Sequence, residues 1–327
     1  MSRLDKKASV VGLVCLAVGY AAGVYTGVKR GIPFVKKVTR NYSIGVYVGE
    51  SPLSLAPSSD IRNPVLTAAD VSDMPAEFVA DPFMVQEGDT WYMFFEAMNE
   101  KTNQGDIGLA TSADGLRWTY RQIVLDEPFH LSFPYVFKWQ DAYYMVPESG
   151  NADSIRLYKA TAFPTEWSFV GTLLEGSAYA DSAILRYADK WWLFTTPNAS
   201  NDTLLLFYAD ELLGPWTEHP MSPIVERDTH TARLGGPVLS FDGRLVRYAQ
   251  DDATSYGAQV RAFEITDLTT ASYEETLVAD APLVGLGESV WNSEGMHQVD
   301  PHQVGDNKWI APVDGLGKPK LLFGLQY

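Results

Sequence analysis

Residues 80–97 read ADPFMVQEGDTWYMFFEA, and this phrase decides the fold because it recurs four more times along the chain. Each copy has an apolar run, a short polar gap and a second apolar, often aromatic, run. The other copies are SFPYVFKWQDAYYMVPES (132–149), ADSAILRYADKWWLFTT (180–196), LGGPVLSFDGRLVRYAQ (234–250) and VDPHQVGDNKWIAPVDG (299–315). Their spacing, counted between Pro82, Pro134, Ser182, Pro237 and Pro301, is 48 to 64 residues, which is typical of β-propeller blades. The sequence therefore predicts an all-β, five-bladed propeller.

The two ends of the chain are expected to close the ring of blades. YSIGVYVGE (42–50) alternates as a strand before the first copy, and KLLFGLQY (320–327) reads as a strand after the last. A propeller closes by pairing segments from both termini in one blade. We therefore expect a propeller domain over 41–327, with both end segments in its last blade.

Residues 8–28 predict a membrane anchor. These 21 residues are uncharged and mostly apolar, and lysine or arginine flanks them on both sides. At about 1.5 Å per residue, a helix of this length spans the ~30 Å hydrocarbon core of a bilayer. Residues 1–40 are thus read as a single-pass transmembrane helix with a basic juxtamembrane segment. A cleaved signal peptide is the alternative interpretation.

Small residues within the anchor also allow a homodimer. Gly19, Gly23 and Gly27 lie four residues apart, so one helical face permits close helix approach. Basic residues on both sides of the span weakly favour a cytoplasmic propeller, whereas N-x-S/T triplets at Asn41, Asn198 and Asn201 would suit a propeller outside. The side of the membrane that carries the propeller is left open.

Composition excludes several classes of partner. The 327 residues carry a net charge of −16, with a pI near 4.7, which argues against nucleic acid because phosphate binding needs a basic surface. Cys15 is the single cysteine, which excludes an internal disulfide and a cysteine-based metal site. No cofactor is predicted.

The start of each repeated phrase should face the central channel, where chemistry would lie. Asp81, Asp181 and Asp300 stand at or near these starts, and Glu148 ends a second strand. Carboxyl groups at one mouth suit sugar chemistry, in which one group takes a proton and another donates it. We take Asp81, Asp181 and Glu148 as candidate catalytic residues. The candidate substrate-binding residues are His130, Arg233, Arg247, Gln250, Asp251, His297 and Asp300.

The arginines and histidines suggest what kind of ligand binds. Arg233 and Arg247 offer planar donor groups that suit a carboxylate or phosphate, so a glycan, glycolipid or sugar phosphate is the predicted ligand. A structural Arg–Asp pair is the alternative. His297 and His302 flank Asp300, but this spacing matches no strong metal motif, and no metal site is predicted.

The inner strands resemble those of the five-bladed propellers of glycoside hydrolase family 43. The resemblance implies that Asp81 is a general base and that Asp181 orients and tunes its partners. In that family a glutamate before Gly-Pro in the fourth blade is the general acid, whereas this chain has Leu234-Gly235-Gly236-Pro237. Losing a proton donor costs roughly 10²–10⁴ in rate, so ordinary hydrolysis is not the first expectation.

A closer resemblance covers residues 42 to 315. The strings FVADPF (78–83), GDIGLATSADGLRW (105–118), FHLSFPYVF (129–137) and DPHQV (300–304) are similar to the propeller at the N-terminal end of glucosamine inositolphosphorylceramide transferases. The resemblance implies sugar transfer or modification on a glycolipid or surface glycan. A glycoside hydrolase with Glu148 as a relocated acid and a non-catalytic glycan-binding module are the alternatives.

Overall fold

The computed structural model describes residues 35–38 and 40–323, which fall into two units. One unit is Arg40–Lys318. In the other, the described residues form an antiparallel pair between Val35–Val38 and Lys320–Phe323. The predicted anchor, 8–28, lies outside the described residues. No helix within the described ranges is long and apolar enough to cross a membrane.

The unit Arg40–Lys318 is a five-bladed propeller in which each blade is an antiparallel sheet. The strands of blade 1 are Ala76–Glu87, Thr90–Asn99, Gln104–Ser112 and Thr119–Leu125. Those of blade 2 are Ser132–Trp139, Ala142–Glu148, Ser154–Ala162 and Glu166–Glu175. Those of blade 3 are Ala180–Tyr187, Lys190–Thr196, Thr203–Ala209 and the short Thr217–Glu218 and Val225–Glu226. Those of blade 4 are Leu234–Phe241, Arg244–Asp251, Gln259–Leu268 and Tyr273–Leu277. Short 3₁₀ turns occupy Ala68–Asp70, Gly150–Ala152, Pro197–Ala199 and Val290–Asn292.

Blade 5 closes the ring by joining distant parts of the chain. Its order is His302–Gly305, Lys308–Gly317, Asn41–Ser51 and Ser54–Pro57, so the early strand pairs with the last repeated phrase. The expectation that 42–50 closes the ring is confirmed. The expectation for the C-terminal strand is wrong, because Lys320–Phe323 pairs with Val35–Val38 instead of entering the blade.

The core lies between adjacent blades, which is why the second strands are apolar on both faces. Met93, Phe94 and Phe95 follow one another in blade 1 and are all fully buried. Phe94 packs with Val136 and Met145 of blade 2. The outer strand Glu166–Glu175 is only partly buried, with half of its residues exposed, because it pairs along one edge only. The repeated phrase is thus the buried inner half of each blade.

The inner strands contain bulges that aim side chains at the axis. Asp81, Phe133 and Asp181 are equivalent residues with φ of 52°, 44° and 44°, in the left-handed region. The strand register shifts at each of these points. A bulge re-aims a side chain, and a non-glycine residue in this conformation costs about 1–3 kcal/mol. The strain falls where functional groups converge.

Candidate functional site

A cavity of about 260 Å³ opens where the inner strands begin and the second strands end. Its ionisable lining groups are Arg40, Asp81, Glu96, His130, Glu148, Arg233 and His297. Tyr42, Phe78 and Tyr256 add aromatic surface. The volume lies just below the roughly 300–1,000 Å³ of pockets for drug-sized ligands. The cavity therefore suits a small polar group such as one sugar unit.

His297 is held between two carboxylates. Its Nδ1 lies 2.6 Å from Oδ2 of Asp314, and its Nε2 lies 3.7 Å from Oδ1 of Asp81. The ring stacks on Tyr42 with centroids 4.7 Å apart. Burial opposes protonation, but the charges of Asp314 and Asp81 outweigh it and raise the pKa of His297 to about 10. His297 is therefore an imidazolium at neutral pH.

Asp81 is buried between the imidazolium of His297 and the inner strand of blade 2. Its Oδ2 accepts the backbone N–H of Phe133 at 3.3 Å, and its own N–H donates to Asp314 at 3.2 Å. Burial raises the pKa of Asp81 to about 7 although the charge of His297 opposes the shift. A carboxyl that titrates near neutral pH can accept a proton from a ligand hydroxyl.

A second network joins blades 2, 3 and 4 through Arg233. Nε of Arg233 donates to Oδ2 of Asp181 at 2.5 Å, and Nη2 lies 3.7 Å from Oε2 of Glu148. Nη1 donates to Oδ1 of Asn201, and Nε2 of Gln250 donates to Asp181 at 2.8 Å. Burial, followed by the charge of Asp181, raises the pKa of Glu148 to about 8. The positive charge of Arg233 is thus shared by two carboxyl groups within the protein.

Glu96 and His130 form a third pair, of which only His130 is predicted from the sequence. Nε2 of His130 lies 3.4 Å from Oε1 of Glu96, whose residue is only 6% exposed. Burial, followed by the charges of Asp81 and Glu148, raises the pKa of Glu96 well above its usual range. A signal for Glu96 exists, because each second strand has a polar residue at the same position. These residues are Glu96, Glu148, Thr196, Gln250 and Asp314.

The structure brings Asp81, Glu148, His130, Arg233 and His297 into the cavity lining. Asp181 and Gln250 are buried directly behind the lining through their bonds to Arg233 and to each other. These seven residues come from all five blades or their connections. The remaining three predicted residues lie outside the lining.

The prediction that Arg247, Asp251 and Asp300 contact the substrate is corrected, because none of them lines the cavity. Arg247 is fully buried and binds Glu275 through Nε and Nη2 and the Thr231 carbonyl through Nη1, so it holds blade 4 together. The donors that satisfy Asp251 are His230, Gln259 and Arg261. Asp300 accepts the N–H of Met84 and a bond from His302, which joins blade 5 to blade 1. None of the three is proposed as a ligand contact.

Asp81, His297 and Asp314 also form the one group among the described residues that offers three metal-ligand atoms, within 4.8 Å of one another. Nδ1 of the imidazole already faces Oδ2 of Asp314 at 2.6 Å, so this nitrogen has a carboxylate partner within the protein.

Comparison with known proteins identifies relatives of the propeller. The family model described as "Glucosamine inositolphosphorylceramide transferase 1, N-terminal" matches residues 37–316. The chain is 38% identical over 297 residues to glucosamine inositolphosphorylceramide transferase 1 of Oryza sativa subsp. japonica, covering 84% of this chain and 40% of that protein. The protein of the same name from Arabidopsis thaliana is 35% identical over 297 residues, with 84% and 39% covered. The chain thus spans about 40% of the length of these relatives.

Solved structures share the fold at low identity. The catalytic domain of Coprinopsis cinerea GH62 α-L-arabinofuranosidase aligns with a TM-score of 0.54 and 15% identity, covering 83% of this chain and 86% of that one. A glycosyl hydrolase from Bacteroides ovatus aligns with a TM-score of 0.53 and 12% identity, covering 81% and 95%. At this identity the likeness concerns the propeller alone.

Proposed function

Since the chain belongs to the family defined by the N-terminal domain of glucosamine inositolphosphorylceramide transferase 1, we propose that its cavity binds a carbohydrate and transfers or modifies a sugar on a glycolipid or surface glycan. The observation that carries the proposal is the convergence of three carboxyl groups, the buried Asp81 and Glu96 and the partly buried Glu148, in one small polar cavity. The names of the relatives support a sugar as the ligand.

The chemistry requires a base and an acid on the same sugar. Asp81, whose pKa is raised to about 7, is the base that takes the proton of an acceptor hydroxyl. The acceptor oxygen forms a new bond to the sugar carbon as the bond from that carbon to the leaving oxygen breaks. A protonated carboxyl in the cavity donates its proton to the leaving oxygen, so one proton is taken and one is returned.

The expected anionic ligand loses support from the geometry. Arg247 is outside the cavity, and Arg233 already serves Asp181 and Glu148. The exposed Arg40 is the other arginine that lines the cavity within the described residues. We therefore propose that the cavity binds the sugar unit itself, and we assign no phosphate or carboxylate contact within it.

Hydrolysis is the second candidate, because Glu148 lines the same cavity as Asp81 and its pKa is raised to about 8. The two reactions differ only in the acceptor, which is water in hydrolysis and a hydroxyl of another sugar or lipid headgroup in transfer. A binding module without catalysis is the remaining outcome of the test below.

We also propose that residues 8–28 anchor the chain in a membrane as a single pass, with the Gly19, Gly23 and Gly27 face available for a homodimer. The length and apolar character of this stretch support the anchor. Resistance of the full chain to extraction from membranes by alkaline carbonate is the expected result. Release into the soluble fraction would contradict the anchor.

Binding is tested with the full-length chain in a detergent that has no sugar headgroup. Sugar nucleotides and a glycan panel are screened by saturation-transfer NMR. Tyr256 is the cavity residue to be substituted. Its ring centroid lies 5.3 Å from Cζ of Arg233, and the residue is 45% exposed. Tyr187, which is 40% exposed and lies on the hairpin of blade 3, is the matched control.

The expected result is binding by the wild type and by Tyr187→Ala, with loss in Tyr256→Ala. Product formation from the bound sugar then separates transfer from hydrolysis by whether an acceptor or water receives the sugar. Binding without any product supports the non-catalytic module. Absence of binding to every sugar and glycan in the panel overturns the carbohydrate proposal.

A further inference from the structure

His130 is locked in one neutral tautomer by the backbone. Its Nδ1 accepts the N–H of Gly105 at 2.8 Å. A ring nitrogen that accepts a hydrogen bond carries no proton, so the proton of the neutral ring is on Nε2. If Nδ1 were protonated, its N–H would point at the N–H of Gly105, and the two donors would repel each other. Burial also lowers the pKa of His130, and the nearby positive charge of Arg40 lowers it further.

This tautomer decides the state of Glu96. Nε2 of His130, which carries the ring proton, lies 3.4 Å from Oε1 of Glu96, so Oε1 is the carboxyl oxygen that faces this donor. No residue in the described ranges donates a hydrogen bond to Oε2. A carboxyl that is 6% exposed and faces a neutral imidazole has no counter-ion to hold its negative charge.

The other charged groups around the cavity do not supply that counter-ion. His297 is paired with Asp314 and Asp81, and Arg233 is paired with Asp181 and Glu148. Arg40 lines the cavity but is exposed to solvent, where its charge is screened. The nearest acidic neighbours, Asp81 and Glu148, repel a negative charge on Glu96 further. Geometry and charge both favour a protonated Glu96.

We infer that Glu96 is the proton donor of the cavity, and that His130 is its positioning residue. The inference rests on the proposed sugar chemistry and names the acid within it. Glu148 is a weaker candidate, because its Oε2 accepts the N–H of Asp181 at 3.3 Å and lies 3.7 Å from the Arg233 guanidinium. Both neighbours stabilise an ionised carboxylate at Glu148, whereas Glu96 has neither.

With Asp81 as the base and Glu96 as the acid, the reaction takes up one proton and releases one. Asp81 takes the proton of the acceptor hydroxyl as the new bond to the sugar carbon forms. Glu96 gives the proton on Oε2 to the leaving oxygen as its bond to the same carbon breaks. Glu96 ends as a carboxylate and Asp81 as an acid, and exchange with water restores both after the products leave.

Gly105 is required for this arrangement. A Cβ at residue 105 would lie 2.3 Å from the Leu131 carbonyl oxygen, 2.8 Å from Cε1 of His130 and 2.9 Å from Oε1 of Glu96. Contacts this short force atoms to move, and one of them is backbone. Glycine therefore lets the strand approach His130 closely enough for its N–H to fix the tautomer.

The protonation state is tested directly on the full-length protein at neutral pH, without any ligand. Infrared difference spectra between the wild type and Glu96→Gln should lose the carbonyl band of a protonated carboxyl. Nitrogen-15 NMR of the histidines should show His130 protonated on Nε2, with the assignment made from His130→Gln. A difference spectrum that shows loss of a carboxylate band instead would overturn the inference.

The catalytic role is tested with paired substrates that differ only in the leaving group. For whichever sugar of a p-nitrophenyl glycoside panel the wild type turns over, the methyl glycoside of that sugar is compared. Loss of the acid should slow the methyl glycoside by roughly 10²–10⁴-fold and the nitrophenyl glycoside far less, because nitrophenolate leaves without protonation. Glu96→Gln should show this pattern, whereas Glu148→Gln should slow both substrates alike.

Failure of the inference and failure of the proposed function give different results. If Glu148→Gln shows the leaving-group pattern and Glu96→Gln does not, Glu96 is not the acid although the sugar chemistry stands. If the wild type turns over no glycoside and binds no sugar, the proposed function fails, and with it the role of Glu96 as an acid. The infrared result still decides whether Glu96 is protonated.

Discussion

Nε of Arg233 lies 2.5 Å from Oδ2 of Asp181, and this buried contact joins the approach to blade 4 to the inner strand of blade 3. The side chains are 10% and 4% exposed, so water does little to compensate for the loss of either partner. The same guanidinium reaches Glu148 at 3.7 Å. Arg233 is therefore the cation that allows Asp181, behind the cavity, and Glu148, in its lining, to lie close together.

Arg233→Met is expected to destabilise the propeller strongly. Removing one member of a buried ion pair leaves an uncompensated charge, at a cost of about 3–5 kcal/mol in free energy of unfolding. Denaturant unfolding monitored by tryptophan fluorescence measures this cost. The double variant Arg233→Met with Asp181→Asn should lose less than Arg233→Met alone. A double variant less stable than either single variant would contradict the ion-pair account.

Arg247→Met should affect stability but not ligand binding. Arg247 is fully buried and paired with Glu275, so the expected cost is also about 3–5 kcal/mol. The side chain does not line the cavity. Affinity for a bound sugar, measured by NMR titration at a temperature where the variant is folded, should equal that of the wild type. A large loss of affinity in the folded variant would show that Arg247 contributes to sugar binding.

Stability should depend on pH through His297. The pKa of this residue rises from 6.5 to about 10 on folding, so the folded state holds the proton more tightly. Its contribution is fully present below pH 6.5 and is lost as the pH rises through about 10. The difference in free energy of unfolding between the wild type and His297→Gln should therefore shrink over this window. A difference that is constant with pH would show that His297 is neutral in the folded protein.

Gly105→Ala should disturb the Glu96–His130 pair specifically. The added Cβ would lie 2.3 Å from a backbone oxygen, and overpacking of this kind typically costs about 1–3 kcal/mol. Thermal unfolding measures the cost, and the nitrogen-15 spectrum of His130 should change. Gly305→Ala is the matched control, because its nearest contact is the flexible Lys308 side chain at 3.8 Å. Equal effects from both substitutions would contradict the assigned role of Gly105.

The repeated phrase was sufficient to predict the five blades. Each copy carries its own strand pattern, so the inner strands could be aligned without a structure, and Asp81 and Asp181 followed from that alignment. The left-handed φ of both residues could not be read from the letters, because aspartate also adopts ordinary strand conformations. The bulge depends on the packing of adjacent blades.

Nearness in sequence does not decide which side chains line the cavity. Arg247 and Gln250 share the string RYAQD, but a strand advances about 3.3 Å per residue, which places their backbones roughly 10 Å apart. Asp251 and Gln250 point to opposite faces of the strand. Glu96 was missed for the converse reason, since its equivalence to Glu148 becomes evident only when all five second strands are aligned at their ends.

The most direct test of the central claim is the rate of product formation by Asp81→Asn with the full-length chain and the sugar donor identified by the binding screen. Asp89, an exposed residue on the hairpin of the same blade, supplies the matched control Asp89→Asn. We expect Asp81→Asn to bind the sugar but to lose roughly 10²–10⁴-fold in turnover, and Asp89→Asn to match the wild type. Equal turnover by Asp81→Asn and the wild type would contradict the claim that this cavity performs acid–base chemistry on a sugar.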